Sequence, residues 1–152
     1  MHSVSYTSSY SETLRVGIIG FGSRGLGVLE RIIALAKTKS ERKVLVTLFD
    51  PNEPGIGLHS LYQPEYLLLN TVAHQISIFP EAGLSESNNK FPNFYTWCTQ
   101  RNLKIGSDGM PCELGGRPVA PTDFLPRRLL GEYLSWSYEQ VLQDLPSHIE
   151  VK

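Results

Sequence analysis

Much of the usual chemistry-bearing equipment is missing from this chain. Only two of its 152 residues are cysteines, Cys98 and Cys112. They do not form a Cys-x-x-Cys pair, and no histidine stands at metal-ligand spacing from either. This argues against a disulfide framework and against a zinc site, and two free thiols suit a reducing compartment. Neither sign of charge dominates, since 14 Lys and Arg face 15 Asp and Glu for a net charge of -1. There is no basic excess to recruit nucleic acid and no acidic run to act as a solvating tail. No stretch approaches the roughly 20 apolar residues of a membrane-crossing helix. Met1–Thr13 has neither the basic start nor the apolar run of a signal peptide. It reads as a disordered tail, residues 1–13, rich in Ser, Thr and Tyr. A cytoplasmic location is the expectation. A hydrolase elbow, a catalytic carboxylate pair and a phosphate-loop lysine are absent too. No catalytic residue and no metal ligand is assigned.

What remains is an ordinary globular composition, 41% hydrophobic and 19% charged, over a length that fits one domain with a real core. Leu14–Ile19 is a short apolar run that reads as a buried parallel strand. A helix follows, with Leu26, Leu29, Ile33 and Ala36 on one face and Val28, Ile32 and Leu35 widening it. Lys37, Lys39, Arg42 and Lys43 fall at its end, where cations suit the helix dipole. Val44–Phe49 is a second buried strand, stopped by Asp50-Pro51. This strand–turn–helix–strand unit has the length of a right-handed parallel crossover.

Beyond Asp50 the pattern loosens. Pro51–Ser60 is a loop punctuated by Pro and Gly, and Tyr66–Leu69 is a short apolar run. Gln75–Phe79 alternates as a short strand or an extended loop, and Glu81–Lys90 is polar. A helix is expected within Phe91–Arg101, around Phe94, Tyr95 and Trp97. Ile105–Pro121 reads as a long loop, a length that is usually functional or disordered. Asp123–Leu145 is the second strong helix, with Pro126 in its first turn and Tyr133 and Trp136 on its apolar face. A third strand begins at His148–Lys152.

The chemistry concentrates in Gly20-Phe21-Gly22-Ser23-Arg24-Gly25. A Gly-x-Gly-x-x-Gly string gains meaning from its context, here a buried strand before it, a helix after it and an acid closing the next strand. Gly20 permits the tight turn, Gly22 admits a diphosphate to the backbone, and Gly25 lets the helix pack against the sheet. Ser23 and Arg24 contribute N–H groups of the first helical turn, which favour an anion. Asp50 is placed to accept hydrogen bonds from ribose hydroxyls, 25 residues past Gly25 and slightly beyond the usual spacing. An acid at this position fits the free ribose of FAD or NAD, not a 2′-phosphate. FAD is preferred, because about a hundred residues without a second clear crossover separate Asp50 from Ile149. Flavoproteins often use that space to wrap the flavin.

Four blocks carry a family resemblance: Val16–Ile32, Val46–Ser60, Tyr66–Phe79 and Phe124–Trp136. In this order they resemble the FAD/NAD(P)-binding proteins with an extended N-terminal flavin domain. Those proteins are distantly related to the flavin-dependent N-monooxygenases of lysine and ornithine. The family turn is usually Gly-Pro-Arg-Gly where this chain has Gly22-Ser23-Arg24-Gly25. The resemblance implies an α/β, Rossmann-like FAD-binding fold with a parallel sheet, incomplete here, with residues 14–152 as the N-terminal part of the domain. It implies that Asn70 and Gln75 lie near the flavin, and that Arg127 or Arg128 reaches the flavin phosphate or a neighbouring loop. It further implies an oxidoreductase in which FAD is held by this chain and NAD(P)H by a part not present in it. That part would belong to a partner chain with a second nucleotide domain, or the chain would associate with itself. The alternative is a non-catalytic Rossmann module that binds a nucleotide as sensor or scaffold.

Overall fold

The computed structural model describes residues 13–39, 42–80, 91–112 and 114–152. The expected tail, apart from Thr13, and the polar stretch Glu81–Lys90 lie outside the described residues.

The first crossover forms as its sequence dictates. Strand β1 (Leu14–Ile19) runs into helix α1 (Ser23–Lys39), which returns to strand β2 (Val44–Phe49) parallel to β1. The closing strand β6 (Ile149–Val151) pairs with the other side of β2, also in parallel. The sheet order is β1-β2-β6, so β1 is an edge among the described strands.

The register sorts the side chains into two faces. Leu14, Val16 and Ile18 align with Val44, Val46 and Leu48, and these with Ile149 and Val151. This face is covered by α1 and by α3 (Arg127–Gln143), which contribute Leu26, Leu29, Ile33, Leu134 and Val141 to one core. Val28 and Leu35, expected to widen the apolar face of α1, are instead half exposed. The opposite sheet face carries Arg15, Gly17 and Ile19 beside Leu45, Thr47 and Phe49, with Glu150 beyond. Of these, Arg15, Gly17, Ile19, Phe49 and Glu150 are exposed. Parallel sheets are ordinarily covered on both faces.

Described parts of the segment between β2 and α3 pack against α3. Its Leu67–Leu69 run pairs with the approach to α3: Leu69 N–H donates to Leu125 O at 2.9 Å and Arg127 N–H to Leu67 O at 2.8 Å. Gln75–Phe79 is not a strand. A 3-10 turn occupies Ala73–Gln75, held by Ala73 N–H on Asp123 O at 3.0 Å, and the chain then runs extended. Helix α2 (Phe94–Gln100) is shorter than expected because Asn93 caps it, accepting from Thr96 N–H at 2.9 Å. Phe79, Phe94, Trp97, Tyr133 and Trp136 join into an aromatic cluster with ring centroids 5.4–6.4 Å apart. Trp136 is only partly buried, but Tyr133 is fully so, and its hydroxyl donates to Pro92 O at 3.0 Å. Burial pushes its pKa up.

Ile105–Pro121 is not a plain loop. It contains two-residue strands β4 (Pro111–Cys112) and β5 (Arg117–Pro118), which flank β3 (Lys104–Ile105) in an antiparallel sheet. A bidentate pair of Arg117 with Asp123, both bonds 2.7 Å, ties it to the approach to α3. The second long helix begins at Arg127, later than Asp123, because Pro126 stands extended at its N-cap rather than inside its first turn. Both cysteines are free, and burial raises the Cys98 thiol to about 12. No helix among the described residues is long and apolar enough to cross a membrane.

Candidate dinucleotide-binding site

The glycine turn sits at the carboxyl ends of β1 and β2, where open α/β sheets bind their ligands. Gly20 leaves the strand with φ +81°, a left-handed conformation that favours glycine. Its N–H donates to Phe49 O at 2.9 Å, which ties the ends of the two strands together. The helix starts at once, with Leu26 N–H donating to Gly22 O at 2.9 Å. The N–H groups of Ser23, Arg24 and Gly25 therefore have no partner within the helix. Ser23 and Arg24 are exposed. Gly25 is needed for close packing, because a Cβ there would stand 2.6 Å from Gly20 O.

The side-chain-free position at Gly22 has a neighbour that the sequence did not announce. A Cβ on Gly22 would stand 3.2 Å from the Cα of Gly57, and a Cβ on Gly57 2.9 Å from the Cα of Gly22. The loop after β2 folds back so that two glycine backbones abut. Gly55 N–H donates to Phe21 O at 2.8 Å. Both Gly55 and Gly57 have positive φ, +89° and +54°. The signal for this was a second Gly-x-Gly, Gly55-Ile56-Gly57, in a stretch that otherwise reads as simple loop punctuation.

Asp50 lies between the two loops. Its Oδ2 accepts from Phe21 N–H at 2.6 Å and its Oδ1 from Asn52 N–H at 2.8 Å. These bonds, Asn52 first and Phe21 second, hold its carboxyl below the usual carboxylate range. The carboxylate is thus ionised at neutral pH, and each oxygen keeps lone-pair capacity for a further donor.

Helix α3 backs this arrangement along one stripe. A Cβ on Gly131 would collide with the carbonyl of His59. Gly55 packs on the backbone of Leu134, and the Tyr138 ring meets Phe21 edge-on at 5.4 Å. Burial, and then the charge of Arg127, lower the pKa of His59, whose Nδ1 is buried without a hydrogen-bond partner.

The other expected site residues stand apart from the turn. Asn70 is exposed, its Oδ1 3.4 Å from the Thr71 hydroxyl, and Gln75 is exposed at the end of the 3-10 turn. No hydrogen bond among the described residues joins either of them to Gly20–Gly25. Both arginines reach the neighbouring 65–68 segment. Arg128 pairs with Glu65 and Glu132, and Arg127 Nε donates to Leu68 O at 3.3 Å.

A parallel strand–glycine turn–helix–strand unit with an ionised acid closing the second strand defines a Rossmann-type dinucleotide-binding domain. Residues 17–152 match the model of the FAD-NAD(P)-binding family, and the chain belongs to that family. The chain is 28% identical over 156 residues to nitrosuccinic acid synthase of Aspergillus oryzae, covering 99% of this chain and 22% of that protein. It is 31% identical over 149 residues to an L-aspartate N-monooxygenase (nitrosuccinate-forming) of Streptomyces cremeus, covering 91% of this chain and 22% of that protein. The chain therefore spans about a fifth of the length of the curated relatives it matches.

Proposed function

We propose that this chain holds FAD for an NAD(P)H-dependent monooxygenase that hydroxylates the amino nitrogen of an amino acid, with L-aspartate the first substrate to test. The observation that carries the FAD assignment is the backbone of Phe21, held between Asp50 and Gly55 at the entrance to a helix whose first N–H groups have no partner within it. Those groups and the helix dipole would hold the pyrophosphate, and the spare lone pairs of Asp50 would accept ribose hydroxyls. Gly20, Gly22, Ser23, Arg24, Gly25 and Asp50 form the candidate cradle. Asn70 and Gln75 are proposed to meet the flavin end from the wrapping segment. FAD, when bound, supplies the redox and oxygen chemistry, and the residues of this chain bind and orient it.

The substrate class rests on the names of the relatives, which act on L-aspartate or form nitrosuccinate. The NAD(P)H site is assigned to a part not present in this chain. A cytoplasmic setting fits the two free thiols.

The test is NADPH and oxygen consumption by the FAD-loaded protein, with any partner that co-purifies, in the presence of L-aspartate. Aspartate-dependent consumption with an N-hydroxylated product is expected. Flavin binding without turnover on any amino acid would favour a non-catalytic nucleotide-binding module.

A further inference from the structure

We propose that the Gly55–Gly57 loop is a positioning element for the diphosphate, the second jaw of a clasp whose first jaw is the Gly20–Gly25 turn; this rests on the FAD reading above. Three contacts from one loop fix the turn. Asp50 accepts the Phe21 N–H at 2.6 Å, Gly55 donates to the Phe21 carbonyl at 2.8 Å, and Gly57 abuts Gly22 backbone to backbone. Both backbone polar groups of Phe21 are thus held from outside the turn. Gly22, which the fingerprint reserves for phosphate approach, is also the surface against which Gly57 is seated. Any side chain at 57 must push the Gly57 and Gly22 backbones apart, since a Cβ there would lie 2.9 Å from the Gly22 Cα, closer than real contacts allow. Where Gly22 gives way, the shift reaches the N–H groups of the first helical turn that follow it. The loop lies close to α3, since a Cβ added at Gly55 would stand 3.3 Å from Leu134 O. The jaw thus rests on the helix, which would preorganise the cradle for the ligand.

Gly57→Ala tests this, with Gly109→Ala as its control. Gly109 also has positive φ, +80°, but a Cβ there meets nothing within 4 Å, so it reports backbone strain alone. Affinity is measured for FAD and for ADP, which share the diphosphate. The expected result is a loss of at least tenfold for both ligands in Gly57→Ala and an unchanged affinity in Gly109→Ala, at a temperature where circular dichroism shows both variants folded. A folded Gly57→Ala that binds FAD within twofold of the unaltered protein overturns the clasp while leaving the FAD site standing. An unaltered protein that binds neither FAD nor ADP overturns the site and the clasp together. Should Gly57→Ala not fold, amide hydrogen exchange on the unaltered protein decides. FAD should protect peptides covering 18–26 and 52–58 together, and protection confined to 18–26 overturns the proposal.

Discussion

Val16 and Ile18 pack into the core formed with α1 and α3, whereas Arg15, Gly17 and Ile19, the alternate residues of the same strand, face outward. On the covered side, Leu26, Leu29 and Val46 are fully buried. On the open side, Ile19 is 89% exposed and Phe49 55% exposed. The difference separates what these residues complete among themselves from what they leave to be covered. The crossover, the glycine turn and its bracing helix form a finished half-layer. The other face, with the free edge of β1, retains the apolar character of a buried parallel strand without its cover.

The largest stability effect should come from breaking the finished side. Leu29→Ala should destabilise the protein by about 2–5 kcal/mol, the usual cost of a cavity in a packed core. Ile19→Ala, on the open side, should change stability by no more than about 0.5 kcal/mol. Chemical denaturation of the two variants measures this directly, and equal losses would mean that the open face is covered in solution.

The next effect belongs to the acid that joins the two loops. Asp50→Ala should weaken FAD binding about tenfold, as expected for loss of a hydrogen bond to a charged group. Calorimetric titration measures it. Asp50→Asn should fall between alanine and the parent, since the amide offers one acceptor oxygen where the carboxylate offers two. An Asp50→Ala protein with parental affinity would reduce the residue to a strand terminator.

A smaller effect is expected at the open face itself. The isolated chain should self-associate through Ile19, Phe49 and the edge of β1, and Ile19→Lys should reduce that association. Light scattering across a concentration series reads it. A monodisperse parent would show that the face needs no cover.

The smallest effect is a pH dependence at His59. Burial and the charge of Arg127 hold its pKa below the ordinary histidine value in the folded state. The unfolded chain then binds a proton that the folded chain refuses, so stability rises with pH in this window. The contribution is complete above the ordinary histidine range near 6.5 and is lost as pH falls below it toward the depressed folded value. Thermal midpoints should therefore decline slightly on going from neutral to mildly acidic pH, and His59→Gln should flatten that slope. A slope unchanged by the substitution would assign the dependence to other groups.

The sequence made the first half-layer legible because its signals are local. An apolar run, a glycine string, an apolar helical stripe and an acid after the second strand each declare themselves within a few residues. The outer limits of the α1 face were less legible, since Val28 and Leu35 are apolar yet depend on a neighbour that only tertiary structure could supply. The small antiparallel sheet between Lys104 and Pro118 escaped notice because two-residue strands carry no periodicity. Gly55 and Gly57 escaped for a different reason. Their role is a contact with residues more than thirty positions earlier, and only the folded chain brings Gly57 against Gly22. Asn70 and Gln75 were named through resemblance, and their exposure leaves them available for the role proposed.

The most direct test of the central claim, that Gly20–Gly25 holds a dinucleotide diphosphate, is titration of FAD into the unaltered protein beside Gly22→Asp. Circular dichroism on both establishes that they are folded. The account predicts saturable binding of one FAD, competed by ADP, in the unaltered protein and none in the variant, whose side chain would press on the Gly57 backbone and bring a carboxylate to the diphosphate. FAD binding of equal strength in a folded Gly22→Asp protein would place the cofactor elsewhere and contradict the account.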